Sequence, residues 1–223
     1  MQGLAVDDRP REKLARHGAG VLGDNELVAL VIGHGRAGRD ALALANDVLV
    51  GLGGLRGLAR ARPEQLTVAR GVGPAQASRL LAAVELGRRT LVASGPGRPQ
   101  FRRGADAGAY LLPLFGAYPV ERFGVLLVDA RYRLLGTRLL AIGSLTSVSA
   151  HPRDVFREAL LAGAAAAIVF HNHPSGDPEP SRDDIALTAR LSDAGGLIGV
   201  PILDSIVLGD DRFCSLRDMG LMT

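Results

Sequence analysis

Fourteen consecutive residues, His171-Asn172-His173-Pro174-Ser175-Gly176-Asp177-Pro178-Glu179-Pro180-Ser181-Arg182-Asp183-Asp184, hold two histidines, four carboxylates, two hydroxyls and three prolines. The six residues before them, Ala165 to Phe170, are all apolar, a short run that suits a buried strand. Side chains alternate faces along a strand, so His171 and His173 point the same way at its end. Two neutral imidazoles and one carboxylate make a three-ligand cation site with an open fourth position. A water bound there has its pKa lowered to about 7, which makes hydroxide available at neutral pH. Asp177, Glu179, Asp183 and Asp184 are all near enough in sequence to supply the carboxylate, and ligand chemistry alone does not choose among them.

The chain that must position these residues has 223 of them, enough for one full domain and a smaller one. Apolar residues at 47% and charged residues at 22% fit a soluble globular protein and exclude a disordered one. Aromatics make up 4% and Trp is absent, so the core must rest on Leu, Val, Ile and Ala. The single cysteine, Cys214, excludes an internal disulfide framework and makes a cytoplasmic setting the default. Neither a signal-peptide pattern nor an apolar run near membrane-spanning length is present, so no membrane partner is expected. The net charge of +3 is uneven. Residues 1–95 carry 13 basic and 9 acidic side chains, whereas residues 96–223 carry 13 and 14. The N-terminal part is therefore the better candidate for contact with a polyanion.

That part reads as helices. Arg9 to Arg16 is a short one with Pro10 in its first turn, and Asp24 is the expected N-cap of a second, Asn25 to Ile32. Ala41 to Leu49 makes a third, rich in good helix formers, followed by a turn of helix at Leu55 to Ala59. Pro63 to Ala69 and Ala75 to Arg89 are two more, joined by Arg70-Gly71-Val72-Gly73-Pro74. Two helices joined by Gly-Val-Gly resemble a helix–hairpin–helix motif. There the N–H groups opening the second helix receive a phosphate, reading DNA backbone without reading sequence. Gly71, Gly73 and Arg79 are the candidate DNA contacts. The plainer alternative is an αα-hairpin closing a small helical bundle. Thr90 to Gln100 turns to small residues, Gly and Pro, and is the best linker.

Beyond it, Ala105 to Phe115 reads as a helix bent at Pro113. Glu121 to Asp129 and Leu134 to Ile142 read as a strand pair joined by Ala130 to Arg133. Pro152 to Leu161 is amphipathic, with Val155, Phe156, Ala159 and Leu160 on its apolar face. The strand to His171 follows, and Ser181 then caps a helix over Arg182 to Ala194, with Asp184 at the capping-box position. Val200 to Leu208 is a last strand. The order strand, strand, helix, strand, helix, strand describes a mixed α/β domain.

His171-x-His173-Pro174, with Ser181 eight and Asp184 eleven residues after the second histidine, resembles the JAMM motif of MPN/JAB-domain metalloproteases. The fuller pattern resembles the RadC branch, historically named a DNA repair protein. It comprises His171 to Pro178 and Pro180 to Asp184, with Arg9 to Leu14, Gly71-Val72-Gly73-Pro74, His151-Pro152-Arg153 and the closing Ser215-Leu216-Arg217. The resemblance spans nearly the whole chain. It departs at Asp204-Ser205, where RadC proteins usually read Asp-His, which puts a secondary role of that histidine in doubt.

The resemblance implies an α/β, mixed-sheet MPN/JAMM (cytidine-deaminase-like) domain over residues 104–223. It is preceded by an all-α helix–hairpin–helix domain over 1–90 and a linker over 91–103. It makes His171, His173 and Asp184 the ligands of one Zn²⁺ per chain, Glu121 the general base, and Ser181 the group that steadies the developing oxyanion. The implied activity is zinc-dependent hydrolysis of a peptide or isopeptide bond, with a protein or peptide as substrate. The alternative is a DNA-associated protein whose metal domain is structural or acts on nucleic acid. A third possibility, a degenerate interaction module, sits poorly with an intact ligand and base set. A two-histidine, one-carboxylate iron site is a formal competitor, without a cosubstrate signature to support it. His151 and Asp183 read as helix-start residues, and Cys214 is assigned no chemistry.

Overall fold

The computed structural model describes residues 6–36, 38–68, 71–93, 97–143 and 151–222. They fall into two compact units, Met1–Thr90 and Leu91–Thr223.

The described residues of the first unit build helices only, apart from a single bridge between Arg36 and Arg39. They are α1 (Pro10–His17), α2 (Asp24–Ile32), α3 (Ala41–Leu52), α4 (Leu55–Arg60), α5 (Pro63–Val68) and α6 (Pro74–Ala93), which starts in this unit. Ile32, Leu44, Ala45, Val48, Leu66 and Leu80 are buried together at its centre. The N-cap of α2 is Gly23 and not Asp24. Glu26 reaches back to accept the Gly23 N–H at 2.9 Å, which pulls Asp24 into the first turn. Helix α6 runs past Arg89 to Ala93, into the expected linker, because Thr90 to Ala93 contain no breaker. Arg70, Ala69 and the linker residues 94–96 lie outside the described residues.

The second unit opens with α7 (Gly104–Leu111), which passes into a π-helical turn, Leu112–Gly116. Pro113 has no N–H to continue the ladder, so the expected bend takes this form. Five strands follow: β1 (Arg122–Val128), β2 (Leu134–Ile142), β3 (Ala166–Asn172), β4 (Ile202–Leu208) and β5 (Phe213–Ser215). They form one sheet in the order β2-β1-β3-β4-β5. Only the β3–β4 pair is parallel, and it is connected through α9 (Arg182–Ile198). With α8 (Pro152–Leu161) this makes a mixed α/β unit.

β3 is buried at all seven positions, so its run of apolar side chains serves both faces of the sheet. Val125, Leu127, Ala167 and Val169 pack with Val155, Phe156, Leu187 and Leu191 of α8 and α9. Leu126, Val128, Ile168 and Phe170 pack on the other face with Ala107 and Leu111 of α7. Each fully buried large side chain of this kind contributes about 1.5–3 kcal/mol. Leu160, expected on the apolar face of α8, is 61% exposed. α9 outruns its expected end by four residues to reach Ile198. β5 has three residues, too few to show a period.

Candidate metal centre

β3 carries His171 on the face of Val169 and Ala167, toward α9, and the chain leaves the sheet two residues later with His173. α9 starts beneath them with Asp184 in its first turn. The His171 and His173 Nε2 atoms are 3.0 Å apart. Asp184 Oδ1 lies 3.1 Å from His171 Nε2, and Asp184 Oδ2 lies 3.5 Å from His173 Nε2. One ligand atom from each residue falls within 4.8 Å of the others, the geometry of a cluster able to hold a metal ion. Ligand atoms about 2.0–2.1 Å from a tetrahedral ion sit about 3.3–3.5 Å from one another, and two nitrogens with one oxygen suit a borderline cation. The donor set therefore fits zinc in type and spacing.

The surroundings orient these side chains. His173 Nδ1 lies 2.8 Å from the Asp177 carbonyl oxygen. In the neutral ring, donating the Nδ1 proton there leaves Nε2 with its lone pair facing the cluster. Gly176, at φ +84°, makes the turn that brings Asp177 round, and a Cβ there would lie 2.7 Å from the Asp210 carboxyl group. Of the four candidate carboxylates only Asp184 is buried; Asp177, Glu179 and Asp183 are exposed. A periodic signal was available to choose it: Asp184, Leu187, Thr188 and Leu191 share the inward stripe of α9.

Ser181 is the N-cap of α9, and its backbone N–H and its hydroxyl donate to Asp184 Oδ2 at 2.7 and 2.6 Å. Its oxygen accepts the Asp184 N–H at 3.2 Å. Burial opposes ionisation of Asp184, but hydrogen bonds from both histidines outweigh it and hold the carboxyl well below the usual range. The hydrogen bond to Asp184 raises His173 above the ordinary histidine value, against burial, and the charge of Glu121 adds to the rise.

Glu121 immediately precedes β1. Phe123, two residues after it, pairs with His171 in the antiparallel β1–β3 ladder, which brings the start of β1 to the histidine end of β3. One residue missed by the sequence reading fixes this approach. Asn172, fully buried between the histidines, accepts the Arg122 N–H and donates to the Tyr118 carbonyl oxygen at 2.9 and 3.0 Å. The Arg122 guanidinium lies 3.2 Å from the centre of the Tyr118 ring.

The helical unit treats its candidate contacts differently. Gly73 N–H donates to the Gln76 side chain at 3.1 Å, and an Arg79 guanidinium nitrogen donates to the Ile32 carbonyl oxygen at 3.1 Å. Gly71 packs on α3, where a Cβ would meet Leu44 at 2.6 Å. His151 occupies the N-cap of α8 without a side-chain cap bond. Burial and the charge of Glu179 push the Cys214 thiol up, which lowers its nucleophilicity at neutral pH.

Residues 101–221 match the RadC-like JAB domain family, and residues 1–78 match the UPF0758 N-terminal family. The chain belongs to the RadC family. A UPF0758 protein of Desulforudis audaxviator (strain MP104C) is 43% identical to it over 218 residues, covering 98% of this chain and 95% of that one. A UPF0758 protein of Carboxydothermus hydrogenoformans (strain ATCC BAA-161 / DSM 6008 / Z-2901) is 40% identical over 97% of this chain and 96% of its own length. One of Geotalea uraniireducens (strain Rf4) is 42% identical over the same shares. The cluster of His171, His173 and Asp184 lies within the JAB match of this RadC-family chain. Among its described residues no helix is long and apolar enough to cross a membrane.

Proposed function

We propose that the protein is a zinc-dependent hydrolase of the JAMM type that cleaves a peptide or isopeptide bond. One observation supports this above others: two imidazole nitrogens and a buried carboxylate oxygen lie within 4.8 Å of one another, with the charge of Glu121 felt at the same place. What a zinc ion supplies when bound is a water acidic enough to yield hydroxide near neutral pH. Glu121 accepts a proton as the nucleophile forms and returns it to the leaving amine. The Ser181 hydroxyl turns from Asp184 to the scissile carbonyl oxygen and steadies the negative charge developing there. Asn172 holds the backbone on either side of Glu121, so that its carboxylate keeps its aim. Purified protein is expected to carry about one zinc per chain. His173→Ala should abolish that binding, and metal retained by this variant would sink the ligand set. In a peptide-library screen Glu121→Ala should keep the metal and lose hydrolysis. An active variant removes Glu121 as the base.

A second reading, weak binding of DNA backbone by residues 1–90, rests on the basic excess of that part of the chain. It calls for an affinity that falls steeply with salt, and a flat salt response in a titration of the full chain removes it.

A further inference from the structure

On the sheet face away from the histidines lies a cavity of about 730 Å³ within the second unit. Its apolar floor includes Phe101 and Ile168, both 3% exposed. Ile168 stands on β3 three residues before His171 and faces α7, so the sheet itself separates this cavity from the metal centre. Four arginines line it: Arg102, Arg103, Arg131 and Arg217. All four are exposed, and the carboxylates among the lining residues are Asp204 and Asp218. Asp204 is already committed. Its oxygens accept from the Ser205 N–H at 2.7 Å, the Ser215 hydroxyl at 2.6 Å and the Arg217 N–H at 3.1 Å. Burial pushes its carboxyl up, against these hydrogen bonds. The closing Ser215-Leu216-Arg217 stretch, which the metal chemistry does not use, thus anchors to Asp204 and sets the Arg217 guanidinium at the rim, 3.2 Å from the Leu203 carbonyl oxygen. The side chains of Arg102 and Arg131 have no ion-pair partner among the described residues.

The rim also carries an aromatic ring in a costly place. Tyr132, 44% exposed, has φ +59°, the one positive φ outside glycine among the described residues. It occupies the position in the β1–β2 hairpin loop that favours Gly or Asn. Asp129 already organises that loop by accepting the Arg131 and Arg133 N–H groups at 2.8 and 3.0 Å. The backbone of the Tyr132 turn is tied to the cavity wall as well, since its carbonyl oxygen accepts the Phe101 N–H at 2.9 Å. A bulky residue kept in a left-handed conformation at a cavity mouth points to use of the side chain.

We infer that this cavity binds a nucleoside phosphate, its phosphate held by Arg102, Arg131 and Arg217 and its base stacked on Tyr132. Guanidinium forks match phosphate oxygens, and an aromatic face accepts any base. The volume lies in the range of small-ligand sites. The chemistry is shared by a free nucleotide and by the end of a single-stranded nucleic acid.

The test uses the full chain at low ionic strength, with ADP, pyrophosphate and a fluorescein-labelled short oligothymidylate as probes. Calorimetry should detect ADP, or anisotropy the oligothymidylate. Capture of ADP alone identifies a free nucleotide, and capture of the oligomer alone identifies a nucleic-acid end. The double variant Arg102→Glu/Arg131→Glu, at two exposed positions, should weaken whichever probe binds by about tenfold or more. Tyr132→Gly relieves the backbone, so it should keep the melting temperature. It should weaken the base-bearing probes several-fold and leave pyrophosphate unchanged. Binding of neither ADP nor oligomer overturns the inference. So does binding that the Arg102/Arg131 variant leaves intact, which would trace an oligomer signal to another part of the chain.

Discussion

Asn172 holds the backbone of Arg122 across fifty residues of sequence, its side-chain oxygen accepting the Arg122 N–H at 2.9 Å. Its amide donates to the Tyr118 carbonyl oxygen at 3.0 Å, so the chain is gripped on both sides of Glu121. Asn172→Ala leaves a donor and an acceptor unmet and should cost about 2 kcal/mol in denaturant unfolding. His171, His173 and Asp184 are untouched, so zinc content should stay near that of the unaltered protein. Hydrolysis should fall by about a hundredfold as Glu121 loses its aim. A variant with normal metal and normal turnover would show that Asn172 has no part in placing the base.

Ser181 poses a question of two roles. Its oxygen caps α9 by accepting the Asp184 N–H, and its proton goes to Asp184 Oδ2. Capping and charge stabilisation respond differently to substitution. Ser181→Ala should cost about 0.5–2 kcal/mol as a lost cap, while Ser181→Gly costs only a few tenths. If the hydroxyl also steadies the oxyanion, both variants lose about 10²–10³ in kcat whatever their stability. Loss in both is the expected result. A Ser181→Gly variant with unchanged hydrolysis would reduce Ser181 to a cap.

The turn at Gly176 offers a test of the loop that holds His173. Its φ is +84°, and a Cβ would lie 2.7 Å from the Asp210 carboxyl group. Gly176→Ala therefore meets both backbone strain and crowding, and should cost more than about 1 kcal/mol. Displacing Asp177 also removes the carbonyl that orients the His173 ring, so zinc affinity should fall about tenfold or more. Competition with a chelator measures this directly. Unchanged affinity would mean that the ring is held some other way.

What the sequence displayed, and what it hid, follows from the range of the interactions involved. His171 and His173 were legible because a short apolar run and a period of two are local properties. Ser181 was legible as a cap for the same reason. Asp184 was one of four equivalent carboxylates until helix periodicity or family resemblance separated it, because its selection depends on which face of α9 is buried. Asn172 reads as the residue between two ligands. Its work depends on a partner strand fifty residues away, which no local pattern announces. β5 was missed because three residues carry no period, and the extension of α6 to Ala93 was missed because Gly95 and Pro96 drew the boundary too early. The cavity around Arg102, Arg131 and Arg217 is wholly a tertiary property, its lining assembled from five separate segments.

Acid and base should act oppositely on the metal-free protein. Asp184 is held below its ordinary 3.8, with burial opposed and outweighed by its hydrogen bonds to His171 and His173. His173 is raised above its ordinary 6.5, first by the hydrogen bond to Asp184. A lowered carboxyl contributes stability above its unfolded value and loses it as pH falls toward the folded one. A raised histidine contributes fully below its unfolded value and loses that contribution as pH rises through the folded one. The two overlap between 3.8 and 6.5, so the metal-free protein should be most stable in that weakly acidic window. Zinc requires the neutral imidazole, so its binding releases the His173 proton and strengthens as pH rises. Melting temperatures with chelator should therefore decline above the window, while those with zinc hold or rise. A metal-free protein whose melting temperature climbs steadily from about pH 5 to about pH 8 would contradict the pairing of Asp184 with His173.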